Sequence, residues 1–172
     1  MATWLPEAAD RVTPLEQAFA LAPNVYDDFV AMYRAVWQPP SLDPARLELV
    51  RLRVAQLLQA QGELRIRNRP AVDAGLTEEK VAALSQWPTS PLYDDTDRAL
   101  LAFTEMFVID AHAVEDEQCQ AVNDHLTVTE AATFTMALAI FEAMTRFRLG
   151  LSVGSPAGDD VVIIDPLTDP LY

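Results

Sequence analysis

From Leu42 to Leu57 the chain reads Leu-Asp-Pro-Ala-Arg-Leu-Glu-Leu-Val-Arg-Leu-Arg-Val-Ala-Gln-Leu. Asp43 is a capping residue, and Pro44 suits the first helical position, where no N–H is needed. Leu47, Val50, Val54, Leu57 and Leu58 then recur at steps of three and four, which predicts a helix to about Gln61 with one buried stripe.

Helical signals continue on both sides. Upstream, a short helix is expected to start near Thr13 with Pro14 in its first turn, after an irregular arm that packs through Trp4 and Leu5. From Asn24 to about Gln38, Val25, Tyr26, Phe29, Met32, Tyr33, Val36 and Trp37 form a second amphipathic stripe, which Pro39 and Pro40 end. Downstream, a helix is expected from about Glu63 to Ala74, closed by Gly75 and kinked or divided by Pro70. Others follow over Thr77–Leu84, 94–110, 115–126 and 129–151. The last is apolar on most faces from Ala131 to Met144, which places it at the centre of the domain or at a subunit interface. Thr133, Thr135, Glu142 and Arg146 interrupt it too often for a membrane span. Only Val161–Ile164, in the proline-marked tail, reads as a strand. The expected class is all-α, an array of about seven helices with an irregular N-terminal arm and C-terminal tail. The expected divisions are 1–40, a core over 41–154, and the tail 155–172.

With 172 residues, half of them apolar, the chain can build one core. A net charge of −14 opposes attraction to nucleic acid or anionic lipid, so neither is expected as a partner. One cysteine and two histidines exclude an intramolecular disulfide and the usual zinc cages; no metal and no cofactor are expected. His112 and His125 read as capping or surface groups. The first residues lack a cationic segment followed by an apolar run, so a cytoplasmic location is expected.

Charge is unevenly spread. Six of the twelve basic residues, Arg46, Arg51, Arg53, Arg65, Arg67 and Arg69, lie beside only two acids, Glu48 and Glu63. That stretch carries +4, whereas the remainder, six basic against 24 acidic residues, carries −18. Clustered guanidinium groups can clamp a carboxylate; the plainer alternative is pairing with the acidic excess elsewhere. Glu63 and Arg67, four apart, have the acid-first order of a helical ion pair.

The phrase from Leu42, followed by Asp-Ala-Gly-Leu-Thr-Glu-Glu-Lys-Val from Asp73, Ser-Pro-Leu-Tyr-Asp-Asp-Thr-Asp-Arg-Ala-Leu-Leu-Ala-Phe from Ser90, and an apolar final helix ending Thr-Arg-Phe-Arg-Leu, resembles the AhpD-like superfamily. That superfamily includes the alkylhydroperoxidase D proteins and the carboxymuconolactone decarboxylases. The resemblance implies an all-helical fold and homo-oligomers, from dimers to trimers and hexamers. In the peroxidase branch a Glu is followed after eleven residues by Cys-x-x-Cys and then, after three intervening residues, by His. One thiolate attacks the peroxide and the second resolves the sulfenic acid, while Glu and His relay the proton. With that Glu on Glu48, the thiols fall on Ala60 and Glu63, the His on Arg67, and the extra His of some members on Gly62. Only Glu48 is retained.

Three readings follow. The first is a degenerate binding or assembly module without thiol peroxidase activity, its old pocket closed by a Glu63–Arg67 pair. The second is a cysteine-independent enzyme of decarboxylase type acting on a small lactone or carboxylate. In it Glu48, Glu63 and Arg67 are the candidate catalytic groups, and Arg51 and Arg67 hold the anion. The third is residual alkylhydroperoxidase activity, which would need Cys119 beside Glu48 and an external thiol. The plainer role for Cys119 is a small, partly buried apolar residue.

Overall fold

The computed structural model describes residues 14–38, 42–153 and 160–168. The expectations for Trp4, Leu5, Thr13, Pro39, Pro40 and Ser155–Gly158 lie outside them. Eight α-helices are described: α1 (Pro14–Ala20), α2 (Pro23–Trp37), α3 (Pro44–Leu57), α4 (Arg69–Asp73), α5 (Glu78–Ala82), α6 (Asp95–Asp110), α7 (Asp116–Asn123) and α8 (Val128–Leu151). Two three-residue strands, β1 (Ile66–Asn68) and β2 (Val162–Ile164), complete the set. The molecule is all-α, as the periodicity predicted.

Helix α3 is the central element and packs against α6 on one flank and α8 on the other. Asp43 caps it, accepting a hydrogen bond from the Ala45 N–H at 2.8 Å, with Pro44 in the first turn. Its C-terminus closes with Gln59 in the left-handed region at φ 57°, and the Ala60 N–H reaches back to the Ala55 carbonyl at 2.8 Å. Leu47, Val50 and Val54 join Trp37, Leu100, Phe134, Leu138 and Phe141 in the main core. Leu49 and Leu52, on the opposite flank, pack with Leu84, Trp87, Tyr93 and Leu101 in a second cluster. Alpha3 is therefore apolar on two sides, which a single stripe did not capture. A third cluster joins Leu15 and Phe19 of α1 to Val30, Met144 and Leu151.

The expected helix from Glu63 to Ala74 is corrected. Glu63–Arg65 is one 3-10 turn, Ile66–Asn68 is strand β1, and only Arg69–Asp73 is α-helical. A continuous helix would aim the Ile66 carbonyl at the N–H that Pro70 lacks. That carbonyl instead accepts from Arg51 Nη2 and Arg67 Nη1, both at 2.7 Å. The extended residues pair in parallel with the tail, Ile66 opposite Val162, Arg67 opposite Ile163 and Asn68 opposite Ile164. The strand expected within Val161–Ile164 thus forms, on a partner that the local pattern did not disclose. Gly75, at φ 91°, ends α4 as expected, with the Leu76 N–H bonded to the Ala71 carbonyl at 3.0 Å.

Candidate functional site

Glu48 and Arg51 lie three apart on α3, on the flank that faces α8 and β1. Both are buried, at 0% and 4% exposure, where an uncompensated charge would be costly. The Glu48 carboxylate is fully satisfied. Oε1 accepts from Arg51 Nη2 at 2.7 Å and the Asn68 backbone N–H at 3.2 Å; Oε2 accepts from Arg51 Nε at 2.9 Å and Asn68 Nδ2 at 2.7 Å. Arg51 Nη1 donates to the Glu63 carbonyl and to Glu63 Oε2, both at 3.3 Å. With the bond from Nη2 to the Ile66 carbonyl, all five N–H groups of Arg51 are engaged. From α8, Arg148 Nη1 donates to Glu63 Oε1 at 2.8 Å. Two acids and two guanidinium groups form one charge-balanced network. Burial works against the Arg51 charge, but Glu48 and Glu63 outweigh it and hold its pKa above the usual arginine value.

Beside the network is a cavity of about 10 Å³, the size of one water molecule, between α2, β1, α8 and β2. Arg51, Glu63 and Arg148 line it with Tyr33, Ile66, Asn68, Phe141, Met144, Thr145 and Ile164. Burial pushes the Tyr33 hydroxyl up to about 12; Arg51 and Arg148 oppose the rise, and Glu48 and Glu63 add to it. Tyr33 is therefore a neutral hydrogen-bonding group across the physiological range.

The structure brings Glu48, Glu63 and Arg51 together. Arg67 stands apart, because successive side chains of a strand point to opposite faces. Ile66 and Asn68 line the cavity, while Arg67 pairs with Glu78 at 2.8 and 2.9 Å and donates to the Leu64 and Ile66 carbonyls at 2.7 Å. The helical i, i+4 geometry expected for Glu63 and Arg67 does not arise, because residues 63–68 are not an α-helix. Glu63 meets Arg51 and Arg148 instead.

Three site residues escaped the sequence reading: Tyr33, Asn68 and Arg148. A hydroxyl within the apolar stripe of α2 and an arginine within the apolar α8 were available signals. Asn68 offered none, since its role depends on β1.

Of the remaining arginines, Arg46 pairs with Asp94 at 2.8 Å and Asp97 at 3.0 Å, and Arg53 with Glu105 at 2.6 Å. Both therefore meet the acidic excess elsewhere in the chain. Ala60 is buried; Cys119 is exposed on α7, not partly buried as expected. Among the described residues, no group of three or more His, Cys, Asp or Glu is placed to hold a metal. None of the described helices is long and apolar enough to cross a membrane.

The helical array around α3, with a glutamate on that helix facing a turn and a long terminal helix, defines the class of protein. The carboxymuconolactone decarboxylase family model matches residues 23–106. A structure from Agrobacterium tumefaciens, of a protein of unknown function offered as a candidate AhpD antioxidant defence protein, superposes with a TM-score of 0.71 at 19% identity, covering 86% of this chain and 100% of that one. The debrominase Bmp8, as a cysteine-to-alanine variant in complex with 2,3,4-tribromopyrrole, superposes with a TM-score of 0.72 at 14% identity over 86% of this chain and 79% of its own. The uncharacterized protein YnjA of Escherichia coli (strain K12) is 22% identical over 112 residues, 65% of this chain. The match spans 62% of YnjA's length. The chain thus resembles the carboxymuconolactone decarboxylase family over residues 23–106 and shares the fold of these AhpD-related structures.

Proposed function

We propose that this protein uses the AhpD-like fold without a thiol peroxidase cycle, as a binding or assembly module whose ancestral reaction centre is occupied by its own ion pairs. One observation carries the reading: Glu63, at the position matching the second thiol, is clamped between Arg51 and Arg148 beside a cavity of water size. At the first thiol position, the Ala60 methyl group is buried and its N–H closes α3. Thiol peroxidation requires a thiolate to attack the O–O bond and a second sulfur to resolve the sulfenic acid. Residues 60 and 63 carry no thiol, and Cys119 does not line the cavity. The small-anion enzyme has less support, because Arg51 has no uncommitted N–H and Arg67 does not line the cavity.

Assembly into homo-oligomers is part of the proposal. An apolar groove of about 190 Å³ lies between α2 and α8, lined by Met32, Ala35, Val36, Thr133, Met136 and Ile140. Met136, 63% exposed, is the side chain to change. Met136→Glu should lower the mass seen in light scattering from that of an oligomer to that of one chain.

The catalytic part is tested with an organic hydroperoxide and a dithiol reductant. The full chain should consume peroxide no faster than Cys119→Ser. Saturable turnover would overturn the reading, and its loss in Cys119→Ser would assign it to that thiol.

A further inference from the structure

Two carboxylates share the buried network, and they are held very differently. Glu48 lies on helix α3 with a wholly buried side chain and four hydrogen bonds of 2.7, 2.7, 2.9 and 3.2 Å. Glu63 starts a three-residue 3-10 turn, and its side chain is 13% exposed, so water already reaches it. Arg148 Nη1 bonds Glu63 Oε1 at 2.8 Å, but Arg51 Nη1 reaches Oε2 only at 3.3 Å. Charged pairs of good geometry lie about 2.7–2.9 Å apart.

The receiving side does not depend on Glu63. Arg51 is fixed through Nε and Nη2, by Glu48 at 2.9 and 2.7 Å and by the Ile66 carbonyl at 2.7 Å, which leaves Nη1 aimed at the turn. Arg148 approaches the same point from α8, with its side chain 9% exposed. Glu48 balances Arg51, so the departure of Glu63 leaves one buried positive charge, which is costly until one negative charge replaces it. Two N–H groups converging from different helices match the two oxygens of a planar carboxylate. A guest needs no uncommitted N–H, because it takes over the two that Glu63 uses. The adjoining cavity adds only about 10 Å³, so the guest is barely larger than the carboxylate it replaces.

We infer that Arg51 and Arg148 form a receptor for one small monocarboxylate, of formate or acetate size, and that Glu63 occupies it as a tethered ligand which such an anion displaces. With Glu63 in place the site is closed by its own chain; it opens when the turn releases that side chain to solvent. This inference rests on the binding-module reading and names the ligand class and the inhibitory contact of the same site.

A tethered carboxylate competes at a millimolar or higher effective concentration, so sodium formate and sodium acetate are titrated to about 100 mM into the full-length chain. Sodium chloride, which controls for ionic strength, and neutral formamide are run in parallel, and the Nε–H signals of Arg51 and Arg148 are followed by NMR. The wild type should show a saturable shift with both carboxylates and none with chloride or formamide. Glu63→Ala should bind the carboxylates about tenfold tighter or more, and Arg148→Met should abolish saturation in either background. No saturable shift in the wild type, equal affinity in Glu63→Ala, or an equal response to chloride or formamide would overturn the inference. If Glu63→Ala does not fold, Glu63→Gln, which keeps the size and removes the charge, carries the same comparison. Saturable peroxide turnover would break the non-peroxidase reading without altering this titration, so the two failures remain distinct.

Discussion

Helix α3 carries charged networks on both flanks, and water reaches them very differently. Towards α8, the Glu48 side chain is 0% and the Arg51 side chain 5% exposed. Towards α6, Arg46 reaches Asp94, whose side chain is 58% exposed, and Asp97, whose side chain is 1% exposed. The outer network ties three elements together: Arg46 from α3, Lys80 from α5 at 2.6 Å from Asp97, and the capping box of Asp94 and Asp97 that starts α6. Arg46 holds the Asp94 carboxyl down at about 2 by direct hydrogen bonding. The difference teaches what each network is for. A half-solvated ion pair fastens elements at modest energy, since water competes for both partners. A buried one adds little net stability over an apolar replacement, yet losing one member strands a charge without solvent. The inner network therefore dictates geometry: Arg51 holds the Ile66 carbonyl and Glu48 holds Asn68, which together set how β1 lies on α3.

The sharpest way to break this contrast is Arg51→Met. It leaves Glu48 buried with Asn68 alone, and urea unfolding should show a loss of about 3–5 kcal/mol. A loss below about 1 kcal/mol would mean that the inner network is as replaceable as a surface pair. On the outer flank, Asp97→Asn removes the charge facing Arg46 and Lys80 while keeping most of the shape, so the expected loss is about 1–3 kcal/mol. If it exceeded the Arg51→Met loss, the ranking of the two flanks would be reversed.

Alkaline pH sharpens the comparison further. Tyr33 ionises at about 12 in the folded state against 10.0 for the free side chain. A raised folded value means that its contribution is fully present below pH 10 and is lost as the pH rises towards 12, by up to about 2 kcal/mol. Tyr33→Phe should flatten the fall in stability between pH 10 and 12 by that amount. Tyr93, whose hydroxyl donates to the Lys80 carbonyl beside the outer network, is also pushed up to about 12 by burial. The rise is the same for both, so Tyr93→Phe should flatten the curve by a similar amount, and a much smaller effect would mean that water reaches the outer flank at high pH. The smallest effect is expected from Glu78→Ala. Glu78 has a 62% exposed side chain, and Arg67 keeps its two carbonyl acceptors, so unfolding should shift by no more than about 1 kcal/mol.

Much of the frame was legible in the sequence. Asp43–Pro44 begins α3, Thr77 caps α5 with its hydroxyl accepting from the Lys80 N–H, and Gly75 closes α4 in the left-handed region. Each signal is local: a capping oxygen, a missing N–H or a missing Cβ acts within a few residues. Glu48, Glu63 and Arg67 were candidates through their place in the family spacing, and Arg51 through the clustering of arginines. Arg67 was paired with Glu63 on helical periodicity, and a strand sent it the other way. Asn68 and Ile164 belong to the site only because β1 and β2 pair, across almost a hundred positions of chain. No window of local pattern reports such a pairing.

The sequence by itself determined the helical class, the capped start of α3 and the absence of sulfur at residues 60 and 63. Those follow from the chemistry of residues close together in the chain or from the plain identity of a side chain. Tertiary structure alone decided which arginine faces which acid, that Tyr33 and Asn68 meet at one cavity, and that the tail closes it. Such choices arise because a buried charge or amide must find its partner in space, and the partner that satisfies it is set by packing and not by sequence distance.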